Sequence, residues 1–168
     1  MVVGPAAHGT LCGGAPRSGI ALERFCGMWI VEGGMGKVSM LAKSVSDLEV
    51  YRVAFEVQQE IYKLTKLFPP AEKYSLIDQI RRSSRSIGAN ISEAWAKRRY
   101  PAHFISKLSD SDGETEETVH WLESSYACDY VTEAEKDELV AKCRRIGGML
   151  NKMMDNADSW CKHYIAKR

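Results

Sequence analysis

The sequence predicts an all-α protein built as an antiparallel up-down-up-down four-helix bundle. Apolar residues recur at alternating steps of three and four, which is the spacing of one face of a helix. Turn residues such as Pro69 and Pro70 divide the helical stretches into four. The short connections between successive stretches favour antiparallel neighbours.

Composition narrows the class of protein. The chain has 168 residues, with 23 Lys or Arg, 22 Asp or Glu and a net charge of +1, and this length can bury a core without disulfides. Its five cysteines are odd in number and include no CxxC pair, which argues against a disulfide framework and a zinc site. No apolar run approaches the roughly 20 residues that cross a bilayer, and no secretion signal is recognisable. We expect a cytoplasmic protein with no cofactor, no metal and no membrane contact.

The first 45 residues differ from the rest of the chain. They hold nine of its 13 glycines and show no sustained apolar period. Such a segment cannot bury a regular face, so residues 1–45 are predicted to be a poorly structured extension. A translation start assigned too far upstream, with the functional chain opening near Met40, would explain it. The four-helix bundle is predicted to cover residues 46–168.

Capping signals and prolines set the predicted ends of the helices. Ser46 with Glu49, and Thr132 with Glu135, match the capping box that satisfies free amides at a helix start. The predicted helices cover residues 46–68, 72–97, 102–129 and 132 onwards. The inner line of the third helix is predicted to comprise Phe104, Leu108, Val119, Leu122 and Tyr126, with a polar middle at Ser111 and Thr115. The fourth helix is predicted to carry one apolar line from Leu139 to Trp160.

The first helix has more apolar surface than one buried face requires. A strict heptad from Val50 to Phe68 is flanked by a second line that includes Tyr51, Phe55 and Tyr62. Together they span an arc of roughly 200°, about twice the usual width. Because large exposed apolar patches are rare on monomers, we expect Tyr51, Phe55 and Tyr62 to lie in an interface between copies of the chain.

Charge is segregated along the chain. Residues 72–107 hold eight bases and three acids, whereas residues 108–138 hold eleven acids and one base. The predicted second helix is therefore basic and the third acidic, although the whole chain is nearly neutral.

Three segments resemble a known family. The stretch QIRRSSRSIGANISEAWAK, at residues 79–97, resembles the signature QIRRA followed by SIPxNIAEG of the four helix bundle family, also called the 23S rRNA intervening-sequence proteins. The segments SDLEVYRVAFEVQQEIYKLTKLFP and VTEAEKDELVAKCRRIGGMLNKMM are similar to its opening and closing helices. Gly88, Ala94 and Trp95 depart from the usual proline, glycine and phenylalanine, so the kink expected from that proline is in doubt.

The resemblance implies a homopentameric barrel of four-helix bundles with no established catalytic activity. A related branch comprises accessory proteins of diversity-generating retroelements, whose basic pentamers bind nucleic acid and a reverse transcriptase. Fold alone does not carry function, so that role is an analogy.

The basic residues of the second helix are the candidate site. Clustered cations can displace counterions from RNA or DNA, and we assign this role to Arg85, Lys97, Arg98 and Arg99. Ion pairing is the competing interpretation, and we favour it for Arg81 and Arg82, with Asp78 or the acids of the third helix as partners.

The polar part of the signature is interpreted as structural. Asn90 and Glu93 have no matching acid, histidine or nucleophile for acid-base chemistry, so no catalytic residue is assigned. We expect them to satisfy neighbouring polar groups, for example the gap at Ser111 and Thr115.

Two other functions stay open. A purely protein-binding scaffold would use the acidic third helix as its docking face. Arg98 and His103 have the R-x4-H spacing of a class of helical ribonucleases, but Pro101 should break the helix that would present the pair.

Overall fold

The computed structural model describes residues 42–165, with side chains as far as residue 162, and this part of the chain is all-helical. It contains no β-strand within that range. The α-helices are α1 (Glu49–Leu64), α2 (Leu76–Ala96), α3 (Pro101–Ala127), α4 (Glu133–Asp155) and α5 (Ala157–Ile165), with 3-10 turns at Val45–Asp47 and Pro70–Tyr74. The predicted extension at residues 1–45 lies almost wholly outside the described residues, and its boundary stays a prediction.

The four long helices contact one another in a closed order. α1 packs against α2 and α4, and α3 packs against the same two helices. Three hydrogen bonds join α2 and α3, and their residue numbers decrease in α3 as they increase in α2. The pairs are Thr118 with Ser83, Ser111 with Ile87 and Lys107 with Asn90. These two helices are therefore antiparallel. Within residues 42–165, no helix has the length and apolarity needed to span a bilayer.

The buried face of α2 follows alternating steps of three and four, as the sequence predicts for a helix. Its members Ile77, Ile80, Ser84, Ile87, Ile91 and Ala94 are all buried. Except for Ile77 and Ser84, they belong to the same hydrophobic core as the buried line of α4, which comprises Leu139, Cys143, Ile146, Leu150 and Met153. This apolar burial is the main stabilising contribution to the fold.

The inner line of α3 differs from the prediction at its C-terminal end. Tyr126 is exposed, so its assignment to the inner line was wrong, whereas Val119 is half-buried and packs against the core. Thr118 and Ser125 occupy the buried positions instead, continuing steps of three and four from Leu108 through Ser111 and Thr115. Small hydroxyl side chains keep the helices close and bond within the core, whereas a tyrosine would not fit there.

Some helix ends also differ from their predictions. Ser46 is not the cap of α1; it lies inside the 3-10 turn, where Asp47 accepts hydrogen bonds from the amides of Lys43 and Ser44 at 2.8 Å each. α1 ends at Leu64, four residues before the predicted end, and Phe68 packs in a small separate cluster. The capping box at Thr132 is confirmed.

Two features of the later helices follow from single residues. α2 passes through Gly88 as one uninterrupted helix, which agrees with the absence of the family's usual proline. The predicted fourth helix is divided at Asn156, so that Ala157 and Trp160 belong to α5.

Candidate functional site

An open groove of about 550 Å³ lies beside the N-terminal half of α2. Its charged lining comprises four bases and one acid, namely Lys73, Arg81, Arg82, Arg85 and Asp78. We call this the basic groove. Its arginines lie within roughly 100° of one another on the helix, away from the buried line, because they are spaced by one, three and four residues.

Arg81 is held by side chains of the α1 end. Its Nε donates a hydrogen bond to Thr65 Oγ1 at 2.7 Å, and its guanidinium lies 5.0 Å from the centre of the Tyr62 ring. The Arg85 guanidinium lies 6.0 Å and Lys66 Nζ 4.6 Å from the same ring. Cations over an aromatic face are attracted to it by about 0.5–1 kcal/mol at exposed sites. Tyr62 therefore supports the arginines on one side of the basic groove.

Arg82 pairs with the acidic helix. Its Nη2 lies 2.7 Å from Glu117 Oε1 on α3, and the same oxygen accepts a hydrogen bond from Trp121 at 3.2 Å. The predicted pairing of Arg82 with an acid of the third helix is confirmed. Arg85, by contrast, is exposed and makes no ion pair among the described residues.

The other predicted bases lie at the far end of α2. Lys97 follows Arg85 by twelve residues, which corresponds to about 18 Å along a helix. Lys97 Nζ lies 3.4 Å from Glu93, and Arg98 donates to the Trp95 carbonyl at 2.6 Å with its guanidinium over the Trp95 ring. Arg99 is exposed beside Tyr100. Arg85 thus lies on α2, whereas the other three predicted residues follow the C-terminal end of that helix.

Asn90 and Glu93 make polar contacts with α3. Lys107 Nζ lies 3.3 Å from Asn90 Oδ1 and 3.2 Å from Glu93 Oε2. The hydrogen bond from Lys107 lowers the pKa of Glu93. The suggestion that this pair fills the polar gap of α3 was wrong, because Ser111 donates to the Ile87 carbonyl and Thr115 to that of Ser111.

A second depression, of about 400 Å³, adjoins these residues. Asn90, Lys107, Asp110, Glu114 and Glu117 line it. Glu114 Oε2 is buried without a hydrogen-bond partner, and burial, with Glu117 and Asp110 adding repulsion, raises the pKa of this carboxyl. Within the described residues no group of three or more His, Cys, Asp or Glu is placed to hold a metal ion.

The second apolar line of α1 is open to solvent in the single chain. Phe55 is 49% and Tyr62 38% exposed, while Tyr51 is half-buried and stacks on Phe55 with ring centres 6.5 Å apart. This geometry agrees with the excess apolar width seen in the sequence.

Comparison with known proteins identifies the family. The family model of 23S rRNA-intervening sequence proteins matches residues 46–152, which is more than half of the chain. The chain belongs to this family. The three resembling segments therefore indicated the family correctly.

A solved structure has a similar fold. It is the crystal structure, at 1.70 Å resolution, of a protein of unknown function from the S23 ribosomal protein family of Bacteroides thetaiotaomicron. The two chains share 31% sequence identity with a TM-score of 0.58, over 63% of this chain and 95% of that one. No curated protein matches the sequence.

In the present chain, Arg98 and His103 do not lie on one helix. α2 ends at Ala96, and α3 begins at Pro101, as the proline predicted. His103 is exposed, with its ring 5.5 Å from that of Tyr100.

Sequence reasoning missed Lys73 and Tyr74 as parts of the site. Both lie in the 3-10 turn before α2, and both line the basic groove. A lysine followed by a tyrosine after two prolines was visible in the sequence. Its position beside Arg81 and Arg85 was not, because that depends on how the turn packs.

Proposed function

We propose that this protein is a non-enzymatic binding module that contacts the phosphates of RNA or DNA through the basic groove. Its scaffold is an antiparallel up-down-up-down four-helix bundle. The observation that carries the proposal is the concentration of four cations, with one acid, in one open groove. Neutralising phosphates with clustered cations releases counterions, which drives binding without any catalytic group.

The groove has the composition of a binding surface. Its lining contains no histidine or cysteine and a single carboxylate, that of Asp78. Acid-base catalysis usually needs a second titratable group within hydrogen-bond reach of the reacting atoms. Lys97, Arg98 and Arg99 form a second basic set, and we propose that they extend the contact past the C-terminal end of α2.

Self-association is part of the proposal. The exposed Phe55 and Tyr62 lie on a helix face that copies of the chain can cover, and the family resemblance favours a pentamer. Repeating the basic groove around a ring would raise the effective affinity for a long polyanion. We place the protein in the cytoplasm, since Cys128, Cys143 and Cys161 are free thiols.

The test is a titration of the purified oligomer with labelled RNA and DNA at several salt concentrations. We expect affinity to fall steeply with salt. Arg85→Ala should weaken binding and lower the salt slope by about 0.7 to 0.9, the value for one phosphate contact. Arg144→Ala is the matched control, because Arg144 is exposed on α4, away from the groove.

The variant Lys97→Ala/Arg99→Ala measures the second basic set separately. A well-formed oligomer that binds neither RNA nor DNA at low salt would contradict the proposal.

A protein-binding scaffold is the alternative that one observation favours. α3 carries many acids, and Asp110, Glu116 and Glu123 are exposed on it. A partner that docks there through apolar contacts would be retained at high salt, unlike a phosphate ligand. The ribonuclease alternative is more remote, since the helix break separates Arg98 from His103. It fails if His103→Ala leaves any RNA cleavage unchanged.

A further inference from the structure

We propose that the basic groove takes single-stranded nucleic acid, with one base stacked on the ring of Tyr74 and the neighbouring phosphates against Lys73 and Arg85. This inference rests on the proposed function and adds the form of the ligand, an unpaired strand in place of a duplex. Two features of the turn before α2 carry it: the exposure of the Tyr74 ring and the way its backbone is held.

Tyr74 leaves most of its ring in water. The residue is 84% exposed and lines the basic groove. The nearby aromatic residues Phe68 and Tyr130, in contrast, pack on each other with ring centres 5.3 Å apart. Lys73 Nζ lies 5.0 Å from the Tyr74 ring centre, and one ammonium covers only one face of a ring. The other face can receive a planar ligand.

The turn that carries this ring is fixed at Glu72. The Glu72 carboxylate accepts hydrogen bonds from the Ser75 hydroxyl and from the Tyr130 hydroxyl, the latter at 3.1 Å. The backbone amide of Ser75 also donates to the Glu72 carbonyl at 3.2 Å. The hydrogen bond from Ser75, and then that from Tyr130, lowers the pKa of Glu72, so the carboxylate is the charged form at neutral pH. A ring presented from an ordered backbone loses little entropy when a ligand binds.

An exposed ring beside cations suits an unpaired strand. Cations follow the phosphates while an aromatic ring stacks on a base, and every base has a π-face, so this recognition tolerates different sequences. In a duplex the bases already stack on each other, and a protein ring reaches one only by unstacking it. The Tyr74 ring therefore favours single strands, whereas the arginines alone would accept either form.

The experiment measures anisotropy of three labelled probes with the full-length protein. The probes are a single-stranded oligonucleotide, the same strand in a duplex, and an abasic strand of equal length and charge. We expect the ordinary single strand to bind about tenfold tighter than the abasic strand. Tyr74→Ala should remove that preference at every salt concentration without changing the salt slope, and Tyr74→Phe should keep it.

Two further variants locate the contact. Lys73→Ala should weaken binding of the ordinary and abasic strands alike and lower the salt slope by about 0.7. Tyr100→Ala is the matched control, because Tyr100 is 54% exposed beside Arg99, at the other end of α2. We expect this variant to keep the preference for the ordinary strand over the abasic strand.

The outcomes separate the two proposals. Equal binding of the ordinary and abasic strands, tighter binding of the duplex, or a loss with Tyr100→Ala in place of Tyr74→Ala would overturn the inference and leave a phosphate-binding function standing. Absence of salt-dependent binding to all three probes would overturn the proposed function itself. Because Tyr74 is exposed, circular dichroism should show the same helix content in each Tyr74 variant.

Discussion

Glu114 is a carboxylate in an unfavourable place. It lies on α3, its Oε2 is buried without a hydrogen-bond partner, and burial raises its pKa, with Glu117 and Asp110 contributing further repulsion. The folded protein therefore holds this proton more tightly than the unfolded chain does. The stabilisation that protonated Glu114 contributes is fully present below the ordinary pKa of 4.5. It is lost as pH rises through the higher pKa of the folded state.

Replacing Glu114 with glutamine should stabilise the protein at neutral pH. The substitution removes the charge and keeps the shape, so we expect the free energy of unfolding to rise by about 1 kcal/mol at pH 7. The gain should shrink towards pH 4, where the glutamate is protonated. Urea denaturation between pH 4 and 8 measures both, with Glu116→Gln as the exposed control on the same helix. A gain that does not depend on pH would contradict this account.

Glu117 limits how much of the basic groove is available to an anion. It holds Arg82 at 2.7 Å, and a phosphate that approaches Arg82 must compete with this carboxylate. On the proposed function, Glu117→Gln should tighten nucleic-acid binding by about two- to fivefold, because surface ion pairs contribute up to about 1 kcal/mol.

The control for Glu117 is again Glu116→Gln. It changes the net charge equally, but Glu116 forms no ion pair with the groove arginines among the described residues. Equal gains in the two variants would show that overall charge, and not the release of Arg82, sets the affinity. Titrations of one labelled strand at fixed salt measure the difference.

At the scale of elements, the contact between α2 and α3 depends on buried hydroxyls. Thr118 Oγ1 donates to the Glu114 carbonyl at 2.8 Å and lies 3.0 Å from Ser83 Oγ, and both side chains are fully buried. Small residues here allow the two helices to pack closely, and the hydroxyls satisfy each other inside the core.

A double-mutant cycle tests this contact. Thr118→Val and Ser83→Ala should each lower the free energy of unfolding by about 1 kcal/mol, because each leaves the other hydroxyl without one partner. The double variant should lose less than the sum, since it leaves neither group unsatisfied. Urea denaturation of the four proteins measures the coupling, and strictly additive losses would contradict the interpretation.

The same helices show what the sequence could predict and what it could not. The isoleucines of α2 are apolar and recur at steps of three, seven and four, so spacing and chemistry pointed to the same buried face. In α3 they disagreed: the spacing continued through Thr118 and Ser125, but apolarity favoured Val119 and Tyr126. Choosing by apolarity left out two fully buried residues and included the exposed Tyr126. Regular spacing is the safer guide, because a helix cannot shift its buried face by a residue without bending.

The candidate site was less predictable than the fold. Arg85, Lys97, Arg98 and Arg99 were chosen for their charge, yet Arg85 lies about three turns before the end of α2 and the other three follow that end. The basic groove depends on Tyr62 beneath Arg81 and Arg85, and on the bond between Tyr130 and Glu72, residues 58 positions apart. Tertiary contacts of this kind leave no periodic signal in the sequence.

At the scale of the whole molecule, the proposed self-association would use the exposed face of α1. Phe55 is 49% exposed and contacts the half-buried Tyr51, so an apolar strip continues from solvent towards the core. Covering it removes apolar area from water at about 25 cal/mol per Å². In a closed ring every subunit would place this face in an interface, so one substitution would act at each of them.

If the chain self-associates as proposed, Phe55→Glu should dissociate the oligomer without unfolding the chain. The charge would be buried without a partner in each interface, at a cost that exceeds what the lost apolar contact contributed. Light scattering should show a fall in mass towards that of the monomer, while circular dichroism keeps the helix content. Leu67→Glu is the control, because Leu67 is 83% exposed beyond the end of α1 and outside the strip. An unmodified protein that is already monomeric, or a Phe55→Glu variant of unchanged mass, would contradict self-association through the apolar strip. Another partner would then have to cover it.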